Sequence, residues 1–134
     1  MKVLLVHPSS LMYAEIFLRL EPLGLERVAQ AARLAGHEVR LFDRQVFHRQ
    51  DYLREILDFR PQTVGFSLNF LANLPEVVEL AKETKRLLPA CFVFVGGHSA
   101  SFIPQELLDH AQGAIDCIVR GEGEPITPPL LDAI

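Results

Sequence analysis

The stretch Cys91-Phe92-Val93-Phe94-Val95-Gly96-Gly97 decides the fold. An apolar run without polar alternation, rich in aromatic and β-branched side chains, describes a strand buried on both faces, and the glycine pair ends it. Such a strand needs helices above and below its sheet, and its flanks carry helical periodicity. Upstream, Val77, Val78, Leu80, Ala81, Leu87 and Leu88 recur at helical spacing, and Asn73 with Glu76 has the pattern of a capping box at the start of that helix. Before it, Thr63-Val64-Gly65-Phe66-Ser67 is a further strand, separated by Pro61 from a short helix over Asp51 to Phe59. Downstream, a helix over Pro104 to His110 leads to a strand at Ile115 to Val119.

The amino-terminal part repeats the pattern. Lys2 to His7 (KVLLVH) is another continuous apolar run, ended by Pro8. After a loop from Ser9 to Leu20, a helix is predicted from Glu21 to Ala35, stopped by Gly36. Glu38 to Asp43 (EVRLFD) alternates enough to lie nearer a sheet edge. Strict alternation of strands with crossovers of about ten or more residues predicts an α/β protein, a five-stranded parallel sheet with helices on both sides. The expected order is the flavodoxin-like 2-1-3-4-5, with its switch point between strands 1 and 3.

The 134 residues amount to one domain able to bury its own core. Apolar residues make up 49% and charged residues 22%, and 13 basic side chains are scattered among 17 acidic ones. No basic stripe points to nucleic acid. Cys91 and Cys117 lack metal-ligand spacing and read as buried thiols in a reducing compartment. The apolar start stops at His7-Pro8, too short for a signal peptide, and no run approaches the ~18 apolar residues of a membrane span. A cytoplasmic protein is expected.

In a parallel sheet the carboxyl ends of the strands share one edge, so the segments that follow them converge on one crevice. Those segments are His7-Pro8-Ser9-Ser10, Ser67-Leu68-Asn69-Phe70, Gly96-Gly97-His98-Ser99 and Arg120-Gly121-Glu122-Gly123-Glu124. Gly96-Gly97 permits positive φ and close approach of a ligand, and a side chain at Gly97 is expected to harm binding more than folding. Ser67 is a hydroxyl at the end of an apolar run, serving either its own loop or a ligand. His7 and His98 border the crevice, each readable as a hydrogen-bonded structural residue, a metal ligand or an acid/base group, whereas His37, His48 and His110 are expected on solvated surfaces. The loop after strand 1 has no G-x-G-x-x-G and no P-loop, and offers a flavin phosphate only Ser9-Ser10. A phosphoacceptor receiver is excluded as well, since Ser67 stands where its aspartate would be.

Val3-Leu4-Leu5-Val6-His7-Pro8, Val64-Gly65-Phe66-Ser67, Val95-Gly96-Gly97-His98 and above all Asp116-Cys117-Ile118-Val119-Arg120-Gly121-Glu122-Gly123-Glu124 resemble, in order, the landmarks of the cobalamin-binding domain of B12-dependent radical SAM enzymes. Within that family, Leu20-Glu21-Pro22-Leu23-Gly24-Leu25-Glu26 is most similar to the hopanoid C-3 methylases. The resemblance implies a three-layer, Rossmann-like cobalamin-binding domain over residues 1–124, with 125–134 beginning a linker toward a radical SAM domain. That further domain would hold the [4Fe–4S] cluster and S-adenosylmethionine, since no C-x-x-x-C-x-x-C run exists here.

The resemblance also implies which residues meet the cofactor. The strand 1 loop, His7, Pro8, Ser9, Ser10, Leu11 and Met12, would lie nearest the lower face of cobalt. Ser67, Leu68, Asn69 and Phe70, Gly96, Gly97, His98 and Ser99, and Arg120, Gly121, Glu122 and Gly123 would line a pocket for the dimethylbenzimidazole tail, inserted between strands 1 and 3. Cobalamin domains of the methionine synthase and methylmalonyl-CoA mutase kind place a histidine under cobalt with D-x-H-x-x-G. This loop has no such motif, so base-off cobalamin without a protein histidine ligand is expected, with no catalytic residue in this domain. In the intact enzyme, a methyl group from S-adenosylmethionine would pass by way of cobalt to a substrate carbon radical. From the residues alone, a non-catalytic flavodoxin-like module for flavin or a nucleotide, or an interaction domain, stays open.

Overall fold

The computed structural model describes residues 1–10 and 21–134. Leu11, Met12 and the rest of the loop expected up to Leu20 lie outside the described residues. Strands β1 (Lys2–His7), β2 (Glu38–Asp43), β3 (Thr63–Ser67), β4 (Phe92–Gly96) and β5 (Cys117–Ile118) form one parallel sheet in the order β2-β1-β3-β4-β5. Between and after them lie helices α1 (Leu23–Leu34), α2 (Arg49–Phe59), α3 (Leu74–Leu87), α4 (His98–Phe102), α5 (Pro104–Ala111) and α6 (Gly123–Ala133). The fold and the strand order are those predicted, with the alternating strand β2 at an edge.

Side chains alternate between the two faces of each strand, which divides the core into two layers. Leu4, Val6, Val64, Phe66, Val93 and Val95 pack with Tyr52, Ile56 and Phe59 of α2, Val77, Leu80 and Ala81 of α3 and Leu107 of α5. On the other face Val3, Leu5, Val39 and Phe94 meet Ala29 and Ala32 of α1 and Leu131 of α6. Among the described residues, no helix is long and apolar enough to cross a membrane.

Several local expectations are corrected. β5 is only two residues long, because the Asp116 carboxylate replaces a strand partner: it accepts the Val93 N–H at 2.7 Å and is held by Lys85 Nζ at 2.6 Å. The short helix α4, directly after Gly97, was not foreseen. α2 begins two residues earlier than predicted, where the His48 N–H donates to Asp51 Oδ2 at 2.9 Å. Residues 125–134, expected to start a linker, fall largely within α6, where Leu131 is only 1% exposed. His48 and His110 are exposed, but the His37 ring is nearly buried, between the terminal amine at 3.4 Å and Asp132 at 3.5 Å.

Candidate functional site at the carboxyl edge

Two adjoining clefts open at the carboxyl ends of the strands. The first, about 410 Å³, runs between the sheet and helices α1 and α6. Gly65 and Phe94 form its floor, Leu25 and Val28 of α1 and Thr127 of α6 its walls, and Gly96, Gly97, His98 and Gly121 to Gly123 its rim. The second, about 470 Å³, lies over the end of β1 and is bordered by His7, Pro8, Ser9, Ser10, Ser67, Asn69 and Phe70. Gly24, Leu25, Ser67 and Asn69 line both. The cleft that reaches below the strand ends lies against β3 and β4, not between β1 and β3 as expected.

The predicted segments do converge, held together by one another's polar groups. The Leu68 carbonyl accepts the N–H groups of Ser99 at 3.1 Å and Ala100 at 3.3 Å. Asn69 Oδ1 accepts the His98 N–H at 3.2 Å, and the Ser99 hydroxyl donates to the Asn69 carbonyl at 2.8 Å. Arg120 donates to the Ser101 carbonyl, and the Gly121 N–H to the Ser101 hydroxyl, both at 3.1 Å. Leu68, Ser99 and Arg120 therefore build the rim, and none of the three borders either cleft. His98 is exposed and stacks edge-on against Phe102, with ring centroids 5.1 Å apart.

Gly97 has φ of +109°, the positive value predicted for it. A Cβ there would stand 2.7 Å from the Leu68 carbonyl oxygen and 2.9 Å from Asn69 Oδ1. A side chain at Gly97 thus meets backbone first, which adds a cost to folding beside the expected cost to binding. His7 is held by Ser67, Nδ1 to Oγ at 3.2 Å. Burial lowers the His7 pKa below its ordinary value, although Asp43 and Glu76 pull the other way. Such a ring is neutral at neutral pH.

The strand 1 loop is fixed from the side of α3. Glu76 accepts the Ser9 N–H at 3.1 Å and the Ser9 hydroxyl at 2.7 Å, and Asn73 Nδ2 donates to the Ser9 carbonyl at 3.0 Å. Arg44 Nε lies 3.3 Å from Glu76, and the Ser10 hydroxyl donates to Gln45 at 3.2 Å. The predicted capping box is absent: the Asn73 side chain makes no cap bond. Both residues of that motif serve a tertiary partner instead.

Sequence reasoning missed Gly24, Leu25, Val28, Gly65, Phe94 and Thr127. Gly65, a glycine inside an apolar strand, carried the one available signal of a close approach. A Cβ at Gly65 would run into the Phe94 ring and lie 2.8 Å from Leu5 Cδ2, and one at Gly123 would lie 2.8 Å from Val28 Cγ2. The Thr127 hydroxyl is buried and has no hydrogen-bond partner among the described residues. An apolar slot with glycines at its floor and rim and one unsatisfied hydroxyl in its wall suits a flat aromatic group with a hydrogen-bonding atom.

Residues 9–131 match the B12 binding domain family. The chain is 60% identical over 134 residues to hopanoid C-3 methylase of Methylococcus capsulatus, covering 100% of this chain and 26% of that protein. It thus spans about a quarter of that relative's length. Among solved structures, the cobalamin-dependent S-adenosylmethionine radical enzyme OxsB with aqua-cobalamin bound superposes with a TM-score of 0.81 at 23% identity, over 98% of this chain and 18% of that one. A cobalamin-binding protein from Desulfitobacterium hafniense superposes with a TM-score of 0.74 at 15% identity, over 98% of this chain and 57% of that one. At these identities the two superpositions speak to the fold.

Proposed function

The chain belongs to the B12-binding domain family, and on that premise we propose that it is the cobalamin-holding part of a longer radical SAM methyltransferase acting at C-3 of hopanoids. In that protein this domain, α6 with Thr127 included, holds the cofactor, and a further domain carries the [4Fe–4S] cluster and S-adenosylmethionine. The identity of 60% over the whole chain to a hopanoid C-3 methylase supports the substrate class. Free thiols at Cys91 and Cys117 accord with a cytoplasmic protein.

One observation carries the assignment of the site: the slot over Gly65 and Phe94 with the unpartnered Thr127 hydroxyl in its wall. Its apolar walls suit a benzimidazole-like tail base, and the Thr127 hydroxyl would donate to a ring nitrogen. The second cleft, bordered by His7 to Ser10 and Phe70, would meet the corrin face. When bound, cobalamin supplies a cobalt centre able to carry a methyl group. The chain's own residues bind and orient it, and none is assigned to cobalt. His7 is tied to Ser67 through Nδ1, and among the described residues no carboxylate is hydrogen-bonded to its ring to orient it as a metal ligand. Base-off cobalamin without a protein nitrogen on cobalt is the state this favours.

The test is reconstitution of the 134-residue chain with hydroxocobalamin, followed by visible and EPR spectra of the reduced cob(II)alamin form. Co-elution of corrin with a base-off spectrum and no nitrogen superhyperfine splitting is expected. Ligand binding to the native state alone adds about 2.7 kcal/mol at a hundredfold excess over Kd, so the melting point should rise by several degrees. Flavin mononucleotide should give no rise, because the Ser9 N–H and hydroxyl are already taken by the Glu76 carboxylate, which would repel a phosphate. A rise with flavin and none with cobalamin refutes the assignment.

A further inference from the structure

We infer that Glu76 is a positioning residue for the cofactor: it holds the His7–Ser10 loop in its binding shape, and Ser9 is the anchor it grips and not itself a cofactor ligand. This rests on the cobalamin reading above and names a residue outside both clefts as part of its machinery. All three polar groups of Ser9 are engaged from one side. Its N–H and hydroxyl donate to the Glu76 carboxylate, and its carbonyl accepts from Asn73 Nδ2. The His7 carbonyl accepts the Arg44 N–H at 2.9 Å, and the Ser10 hydroxyl donates to Gln45. The loop is thus pinned at His7, Ser9 and Ser10, while its other side borders the second cleft.

The electrostatics fit a permanent clamp. Glu76 lies in the first turn of α3, where the helix end favours a negative charge, and its side chain is 19% exposed against 15% for its partner Arg44. A carboxylate so placed, accepting two hydrogen bonds from one residue, binds more firmly than neutral groups would. A loop ordered before the ligand arrives does not have to be ordered by it, and the affinity retains what ordering would have cost. Removing the carboxylate should therefore weaken binding although no ligand contact is lost.

The experiment compares Glu76→Ala, Glu76→Gln, Ser9→Ala and the Glu76→Ala/Ser9→Ala double variant by hydroxocobalamin Kd, apo melting point and the EPR spectrum of bound cob(II)alamin. Glu76→Ala should raise Kd roughly ten- to a hundredfold, the range for losing hydrogen bonds to a charged group. Glu76→Gln, which keeps one acceptor oxygen, should fall between it and the wild type. The double variant should bind little worse than Glu76→Ala alone, because both residues act through one contact. The EPR lines of bound cob(II)alamin should shift or broaden in Glu76→Ala, a change that lost fold stability by itself does not produce. The wild-type Kd and spectrum retained in Glu76→Ala overturn the proposal, as does strict additivity in the double variant. A wild-type chain that takes up no cobalamin removes the functional reading itself, and the proposal with it.

Discussion

Replacing Gly65 by alanine tests whether the slot is filled by ligand. The new Cβ would point into the Phe94 ring and come 2.8 Å from Leu5 Cδ2, so one of them must move. Leu5 is fully buried within the sheet core, whereas Phe94 borders the cleft and has open volume beside it. The ring therefore tilts into the slot. Overpacking of this kind costs about 1–3 kcal/mol, offset by about 0.5–1 kcal/mol because alanine loses less backbone entropy than glycine in a strand. The apo domain should melt lower by no more than about 10 °C. With cofactor present the ring has to return against the new methyl group, and that strain of about 1–3 kcal/mol appears as a Kd roughly 5- to 150-fold weaker. Titration by visible absorption gives Kd, and calorimetry of the apo protein gives the stability. An unchanged Kd alongside a lowered melting point would show that nothing occupies the space over Gly65.

Gly97→Ala should destabilise the apo protein by at least about 2 kcal/mol in denaturant unfolding, since it combines a positive φ with a Cβ 2.7 Å from the Leu68 carbonyl oxygen. Thr127→Val, which replaces a buried, unpartnered hydroxyl by a methyl group of similar size, should raise the apo melting point by an amount equivalent to about 1 kcal/mol while weakening cobalamin binding severalfold. A tighter Kd in that variant would count against Thr127 as a tail-base partner. Burial lowers the pKa of His7 in the folded state, so the unfolded chain takes up its proton first as pH falls through 6.5. This part of the stability is fully present above that value and is lost below it, and His7→Asn should flatten the fall of melting point between about pH 7 and 5.

The strands were legible because each apolar run is bounded by residues that stop it. Pro8 follows β1, and Gly96-Gly97 stand at the exit of β4. The order of the sheet followed from handedness and crossover length, which need no side-chain detail. The convergence of the four loop segments was legible for the same reason. What was not legible depended on partners distant in sequence. Asn73 and Glu76 have the local pattern of a capping box, but Ser9, 67 residues before Glu76, competes for the carboxylate and wins. Val28 and Thr127 have the spacing of ordinary core positions on α1 and α6, and only the gap between those helices and β3 and β4 makes them cleft walls. His37 read as a surface residue because nothing in its neighbourhood announces that Asp132 and the amino terminus close over it.

The two faces of the sheet are finished differently. Helices α2, α3 and α5 close one face with their own side chains, whereas α1 and α6 on the other stand over a hollow of about 410 Å³. The difference sets an order of opening. Without cofactor, α6 is held by Leu131 and Leu130 and by the close approach of Gly123 to Val28 on α1, with the hollow beside them, so its amides should exchange with deuterium before those of α3. The cofactor then has a second role beside its chemistry: by filling the hollow beside this smaller core it would brace α1 and α6 against the sheet, so binding should slow the opening of this half of the domain.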